Sequence, residues 1–350
     1  MSINPDAVEE LIEEEAPPAP PSDSHEVGMP RKRKEDRRLI TGRTKWTDNI
    51  QLPGMLHVAM VRSPYAHARI TNVDVSQAKS ADGVIAVLTG ADVKDSQGSL
   101  PCAWPITPDQ KAPAHPSIAV DRVAFAGEIV AAVIARSPAA ARDAAELVDV
   151  DYDELPAVLD LRDAAAGGDK AHPDLDSNVS AHWVFDSAEA GTGGNVEDEI
   201  AMAREGGIVI ERDYRQQRLI PAFMEPRSVV CDPTGEQITL WSATQVPHIL
   251  RIMLALTLSI PESKLRVIAP DVGGGFGGKL QVTPEEVITV LAARHTGKPC
   301  KWTETRSESL LSATTGATSG NGSPSPPTAT VRCGPSRCSC SPTWGPTSAW

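Results

Sequence analysis

No stretch of this chain is apolar for long enough to span a membrane, and its amino terminus lacks the basic-then-apolar order of a secretory signal. Residues 1–28 contain no lysine or arginine, against eight acidic side chains and the run Ala16-Pro-Pro-Ala-Pro-Pro-Ser22. A segment of that composition buries too little apolar surface to offset the entropy of ordering. Residues 1–30 are therefore expected to form a solvated, disordered acidic Pro-rich tail. Setting its eight charges aside from the net −13 leaves −5, which argues against a polyanionic partner. The short basic run Arg31-Lys-Arg-Lys34 gives way at once to Glu35-Asp36, and no aromatic-rich basic face accompanies it. Neither nucleic acid nor membrane is expected as a partner. Cys102, Cys231 and Cys300 are far apart and have no metal or redox spacing, and His57, His67 and His248 also lack ligand spacing. No metal is assigned to the chain's own side chains, and a reducing, cytoplasmic location follows as the default.

A different absence marks the other end. Residues 316–350 contain no Asp, Glu, Lys, His, Ile, Leu, Met, Phe or Tyr, yet hold Cys333, Cys338 and Cys340 among many Ser, Pro, Thr and Gly. A natural low-complexity tail and a disulfide module both suit such a composition, the second only outside a reducing compartment. A one-base shift of reading frame also accounts for it. Each visible codon's first base then becomes the middle base of a hidden codon, and Ser, Cys and Trp can conceal apolar residues. Synonymous codon choice permits the shifted frame to conceal a string with strand alternation and an Asp-Gly turn. Residues 316–350 are thus expected to be out of frame and disordered.

Between these ends, 350 residues provide for two domains, each with ample core. Residues 37–160 alternate strand and helix signals: strands at 56–62, 84–88, 121–125, 129–134 and 148–152, and a helix at 137–147 opened by Ser137 and Pro138. They read as a self-contained, architectural α/β unit. Residues 161–206 have linker and surface-helix composition. Strands resume at 207–213, followed by a hairpin from 228–231 to 237–241, a helix at 247–258, a strand at 264–269, a helix at 284–295 and a strand from 301.

The most informative stretch is Asp271-Val-Gly-Gly-Gly-Phe-Gly-Gly-Lys279. Glycine lets the backbone approach a ligand closely and adopt positive φ, and a lone Phe276 in such a loop can be presented to a bound group. A tight strand-to-helix turn is the structural alternative. Gly273 to Lys279 nearly fits a phosphate-binding loop, but Leu280 stands where Mg²⁺ requires Ser or Thr. The following helix also begins only at Thr283-Pro-Glu-Glu286, too late for its dipole to face a phosphate held by the loop.

This loop resembles the glycine-rich loop of the large, molybdopterin-binding subunits of the xanthine dehydrogenase, aldehyde oxidase and aerobic carbon monoxide dehydrogenase family. The resemblance extends in order through Arg37-Arg-Leu-Ile-Thr-Gly42, Asp48-Asn-Ile-Gln-Leu-Pro-Gly-Met-Leu-His57, Val61-Arg-Ser-Pro-Tyr-Ala-His-Ala-Arg-Ile70, Gly83-Val-Ile-Ala-Val-Leu-Thr89, Ala126-Gly-Glu-Ile-Val-Ala131, Val150-Asp-Tyr-Asp-Glu-Leu-Pro156 and Trp241-Ser-Ala-Thr-Gln-Val-Pro-His248. It covers roughly residues 30–315.

The resemblance implies an α+β protein. An α/β hammerhead domain occupies 31–160, a linker 161–206, and an incomplete molybdopterin-binding domain 207–315, the family's large subunit being more than twice this long. It implies molybdenum–molybdopterin, with a cytosine dinucleotide as one form, and oxidation of a carbon centre (aldehyde, N-heterocycle or CO) with oxygen drawn from water. Electrons would pass to an iron–sulfur small subunit and an FAD-binding medium subunit. Gln245 matches the family glutamine that hydrogen-bonds the cofactor's oxygen ligand, and Phe276 the aromatic beside it; both are the expected catalytic positions. Gly274, Gly275, Phe276, Gly277 and Gly278 are the expected cofactor contacts, Gly275 and Gly277 letting backbone N–H groups reach the cofactor's oxygen ligand or the pterin. For Gln245 the alternative is a surface amide capping the helix at 247. Leu280 replaces an acidic residue of xanthine-oxidising members, which puts purine oxidation in doubt, and the cysteine loop of CO-oxidising members is missing. As written, the chain is expected to be inactive alone and to hold no cofactor. A non-catalytic assembly module and a nucleotide-binding protein are the alternatives.

Overall fold

The computed structural model describes residues 32–102, 105, 107–182, 196–206, 214–216, 219–312, 319–321, 330–334 and 337–341. The acidic segment 1–31 and the strand expected at 207–213 lie outside the described residues.

The first stretch of chain contains α1 (Asp36–Ile40), β1 (Leu56–Arg62), β2 (Ala68–Asp74), α2 (Ser76–Ser80), β3 (Val84–Thr89), α3 (Gly90–Val93), β4 (Arg122–Val123), β5 (Ile129–Ala135), α4 (Pro138–Ala145) and β6 (Asp149–Glu154). Then come α5 (Leu161–Ala165), α6 (Val196–Gly206), β7 (Tyr214–Gln216), β8 (Ser228–Asp232), β9 (Ile238–Ser242), α7 (Pro247–Leu258), β10 (Leu265–Ile268), α8 (Pro284–Thr296), β11 (Cys300–Thr303) and α9 (Arg306–Ser312).

Seven strands form one sheet in the order β10-β9-β8-β11-β1-β5-β3, and β4-β2-β6 form a smaller one. The first stretch is therefore not self-contained, contrary to its reading from sequence. β1 pairs in parallel with β11, Leu56 opposite Cys300 and His57 opposite Lys301. The Thr303 hydroxyl donates to Asp48 at 2.8 Å. An unpaired edge on β1 would expose a row of backbone donors and acceptors, and β11, more than two hundred residues away, covers it.

All seven residues of β5 are buried, because both its faces are covered. Successive side chains point to opposite sides of a sheet. Ala132 and Ile134 enter the main core, while Val133 packs with Ala144 of α4 in a second cluster. Ser137 caps α4, its side chain accepting the Ala140 N–H at 3.2 Å.

α8 is the buried spine of the second stretch, with its residues from Glu285 to Ala293 all inaccessible. Its start is set by Pro284 in the first turn and by Glu286, which accepts the Thr283 N–H at 2.9 Å. It ends at Gly297, whose φ of +65° is the left-handed conformation that glycine adopts without strain.

Within 316–350, β12 (Ser319–Asn321) pairs with β7, and β13 (Thr330–Gly334) pairs with β14 (Arg337–Ser341). None of the three joins the seven-stranded sheet. No helix among the described residues is long and apolar enough to cross a membrane.

Candidate functional site

The glycine loop runs from the end of β10 to α8 and is held from outside at its start. Both terminal guanidinium nitrogens of Arg38, on α1, meet Asp271, at 2.6 and 3.0 Å. From there the loop is fitted tightly to its own protein rather than left open. A Cβ at Gly273 would come within 2.6 Å of the Glu225 Cβ, and one at Gly278 within 2.7 Å of Pro221 and 2.8 Å of Phe223. A Cβ at Gly275 would lie 2.3 Å from the Gln245 Oε1. The remaining two glycines, Gly274 and Gly277, take φ of +93° and +87°. Three of the five glycines thus admit neighbouring side chains, and two admit a backbone turn.

Gln245 lies beneath the loop. Its Oε1 accepts the Gly277 N–H at 3.2 Å and the Lys279 N–H at 3.3 Å, and its own N–H donates to the Lys279 carbonyl at 3.0 Å. It does not cap α7, whose N-cap Val246 has no side-chain partner. With Oε1 held by two donors, the amide has one orientation, because a flip would set its NH₂ against two N–H groups. Its Nε2 has no partner among the described residues, and Gln245 is exposed.

The loop tip offers more donors. The N–H groups of Gly274, Gly275 and Phe276 have no partner among the described residues. Successive free amides around left-handed residues make a concavity that attracts oxygen acceptors or anions. Phe276 has φ of +48° and is 76% exposed, so a strained backbone presents an uncovered ring. Met224, 87% exposed, stands on the neighbouring segment.

The expected N–H contacts divide on this geometry. The Gly275 N–H has no partner among the described residues, although Gly275 itself is buried against the Gln245 side chain; the Gly277 N–H is engaged by Gln245, and the Gly278 N–H donates to the Gly275 carbonyl at 2.8 Å. The loop, closed tightly on Gln245, uses those donors internally.

Lys279 is 2% exposed and cannot reach a phosphate outside the loop. Its Nζ donates to Glu225 Oε2 at 3.1 Å and to the Glu225 carbonyl at 2.8 Å, and lies 4.7 Å from the centre of the Phe223 ring. Burial lowers its affinity for a proton, and Glu225 partly restores it. The phosphate-loop geometry fails a second time at α8, which begins five residues beyond Lys279.

Below the loop is a closed set of charges. Arg227 binds Glu285 at 3.0 and 3.1 Å and Glu304 at 2.6 and 2.9 Å, and it lies 5.4 Å from the Trp302 ring centre. Arg62, from β1, binds Glu285 at 2.8 Å and Glu308 at 3.1 Å. Burial alone would raise the Glu285 carboxyl, but Arg227 and Arg62 override it and hold it at about 2. Glu286, next along α8, has no such cation. Burial pushes it up to about 7, against bonds from Ser242 at 2.6 Å and the Thr283 N–H.

Sequence reasoning missed Glu225, Arg306 and this charge cluster. The available signal was charge placed directly beside apolar strands, at Glu225 and Arg227 before Ser228-Val-Val-Cys231 and at Glu304 and Arg306 after Cys300-Lys-Trp-Thr303. The expected structural histidines are dispersed. His67 Nδ1 bonds the Pro156 carbonyl at 2.7 Å, His57 lies on β1 and His248 on α7. Cys300 is buried where α8 gives way to β11, with its thiol pushed up to about 11 by burial, and its cross-strand partner is Cys231. Among the described residues, no group of three or more His, Cys, Asp or Glu could hold a metal ion. The loop face offers donors, an aromatic and no base. It is suited to binding and orienting an oxygen-bearing group.

Residues 41–156 match the family described as aldehyde oxidase and xanthine dehydrogenase, a/b hammerhead domain, and residues 171–319 match the molybdopterin cofactor-binding domain. The chain is 37% identical over 295 residues to the nicotine 6-hydroxylase large subunit of Paenarthrobacter nicotinovorans, covering 84% of this chain and 35% of that protein. It is 35% identical over 304 residues to the carbon monoxide dehydrogenase large chain of Afipia carboxidovorans, covering 81% and 35%. The structure of quinoline 2-oxidoreductase from Pseudomonas putida 86 superposes with a TM-score of 0.74 at 36% identity, over 85% of this chain and 36% of that one. The chain thus spans about a third of the length of these relatives. From the two matched domains and these relatives together, the chain belongs to the family of molybdenum hydroxylase large subunits.

Proposed function

We propose that these residues are the amino-terminal part of a large subunit that oxidises a carbon centre, within a complex that includes an iron–sulfur small subunit and an FAD-binding medium subunit. The observation that carries this reading is the set amide orientation of Gln245, with Oε1 bound inside the loop and Nε2 left without a partner among the described residues on an exposed side chain. The donors at Gln245, Gly274 and Phe276 would suit the oxygen acceptors that molybdenum–molybdopterin carries. When bound, that cofactor supplies oxygen transfer to carbon and takes up two electrons.

Gln245 then donates to one of the cofactor's oxygen acceptors without titrating, and the Gly274 and Phe276 amides add fixed partial positive charge. Phe276 covers the reacting side with an apolar ring that limits access of water. Lys279 is engaged by Glu225 and takes no direct part. Glu286 holds a proton behind the loop but does not face it openly. The general base and most of the pterin contacts belong to the part of the family protein beyond this length.

An N-heterocycle is the favoured substrate class. The nicotine and quinoline enzymes are among the relatives, and Leu280 leaves no carboxylate there to bind a purine. The cofactor's cytosine dinucleotide form and a cytoplasmic location belong to the same proposal. Residues 316–350 are proposed to be translated out of frame, a reading supported by the family match ending at 319. The DNA downstream of codon 315 tests it directly, and an uninterrupted frame with the same composition in a second isolate would sink it.

The functional test uses a large subunit of the relatives' full length, co-expressed with both partner subunits. Gln245→Ala should lower turnover about tenfold or more while leaving molybdenum content nearly unchanged, as expected for a lost hydrogen bond to a charged oxygen worth about 1.5–3 kcal/mol. Stoichiometric molybdenum and dye reduction by the purified 350-residue chain alone would overturn the division of labour proposed here.

A further inference from the structure

We infer that Glu225 is a positioning residue: it clasps the two ends of the glycine loop together and so holds Gln245 with its Nε2 outward. The inference rests on the functional reading of Gln245 given above and adds the residue that sets its geometry.

One carboxylate oxygen does most of the holding. Glu225 Oε2 accepts the Gly273 N–H at 2.7 Å, at the start of the loop, and the Lys279 Nζ at 3.1 Å, at its end. The backbone of the same residue completes the grip. Its N–H donates to the Gly273 carbonyl at 3.1 Å, and its carbonyl accepts from Lys279 Nζ at 2.8 Å. From Lys279 the circuit passes to Gln245, whose Oε1 accepts the Lys279 and Gly277 amides. Glu225 therefore reaches Gln245 through Lys279, whose side chain it holds and whose backbone N–H donates to Gln245. A carboxylate suits the position because it accepts at each oxygen and donates at neither.

The clasp is itself anchored. Arg306, on α9, donates to the Phe223 carbonyl at 2.9 Å and the Met224 carbonyl at 3.1 Å, just before Glu225. Glu308 of the same helix binds Arg62 of β1 at 3.1 Å. The segment that carries Glu225 is thus fixed to a helix that is in turn fixed to the first sheet strand. The fit leaves no room for adjustment at Gly273, where any Cβ would meet Glu225. The second Glu225 oxygen, Oε1, is buried and has no partner among the described residues. A buried unpaired acceptor is a cost that a purely stabilising contact would avoid.

Amide hydrogen exchange on the purified, uniformly ¹⁵N-labelled 350-residue chain tests the clasp, with E225A, E225Q and K279M as variants. E225A should speed exchange at Gly273 and Gly277 together by about tenfold or more, although Gly277 donates to Gln245 and not to Glu225. The β5 amides should stay protected. E225Q retains an acceptor oxygen at the same reach and should restore Gly273 and most of Gly277. K279M, which opens the clasp from the other end, should loosen both glycines as E225A does.

Faster exchange at Gly273 alone overturns the inference, since Glu225 would then be a local tie. Loss of β5 protection in both E225A and K279M also overturns it, because the pair would then be a general support of the fold. No cofactor is needed for this readout. If the coupled exchange is seen while Gln245→Ala leaves turnover of the complete enzyme intact, the functional proposal fails and the clasp stands.

Discussion

The glycine loop and the charge cluster beneath it are built on opposite rules. In the cluster, Arg62 and Arg227 meet Glu285, Glu304 and Glu308, and the guanidinium of Arg227 is engaged on both of its edges. At the loop tip, three consecutive amides and the Gln245 Nε2 have no partner among the described residues, and Phe276 holds a left-handed backbone with its ring uncovered. Buried polar groups are normally satisfied because leaving them unpaired is costly. A surface that keeps donors open and tolerates strain is complementary to something that supplies acceptors. The cluster explains how the two halves of the sheet are joined, and the loop explains what they are joined to present.

Substitutions in the two regions should differ in size, and at the exposed Phe276 in sign as well. The largest effect belongs to the cluster. Arg227→Met leaves Glu285 and Glu304 buried without their shared cation, and should cost about 3–5 kcal/mol in denaturant unfolding. Acid should act on the same bonds. The Glu285 carboxyl is held at about 2, below an ordinary glutamate, so its contribution is present above about pH 4.5 and is lost as pH falls toward 2. A variant that unfolds no more easily than the native chain would show that the cluster's pairing is incidental.

Glu286 sharpens the comparison, because it is the one buried acid of α8 without a cation. Its folded-state value of about 7 lies above that of an exposed glutamate. Between about pH 4.5 and 7 the folded state therefore binds more protons than the unfolded one, and stability falls as pH rises through that window. Glu286→Gln keeps an acceptor for the Thr283 N–H. It should be about as stable as the native chain at pH 4 and about 2–3 kcal/mol more stable at pH 8. Parallel stability curves for the two proteins would contradict the protonated, unpaired state.

Smaller effects are expected at the loop. Gly275→Ala would displace the Gln245 side chain and break its Oε1 bonds to the loop. Its thermal or chemical stability should fall by about 1 kcal/mol, the net worth of the loop's bonds to Oε1. Phe276→Gly should have the smallest effect and the opposite sign. It releases a left-handed side chain that packs little, so stability should be unchanged or rise by up to about 1 kcal/mol. A marked loss in Phe276→Gly would mean that the ring is a structural element and would remove the contrast between the two regions.

Much of the fold was legible in the sequence. β1 was read with its observed bounds, and the helices at 138, 247 and 284 were each announced by a proline in the first turn. The glycine loop and Gln245 were also visible, being consecutive in sequence or close to a helix start. Pairing across long separations was not legible. Nothing local says that Leu56 lies beside Cys300, so the first stretch read as self-contained. The glutamates of α8 read only as part of a helix start, because the burial of Glu285 depends on arginines 58 and 223 residues away. Glycine was likewise read as making room for a ligand. At Gly273, Gly275 and Gly278 it makes room for Glu225, Gln245 and Phe223. A run of glycines states that something comes close, but not from which side.

The central claim is that Gln245 acts as an outward donor on a loop that takes up its carbonyl. Gln245→Glu addresses it most directly, because a carboxylate keeps the two acceptor bonds to Gly277 and Lys279 and removes the donor. In a full-length large subunit assembled with its partner subunits, turnover per bound molybdenum should be measured for the native enzyme and this variant at a pH above the ordinary glutamate range. The account predicts a fall of about tenfold or more in turnover, with molybdenum content and the exchange protection of Gly277 retained. Native turnover per molybdenum in Gln245→Glu would contradict it.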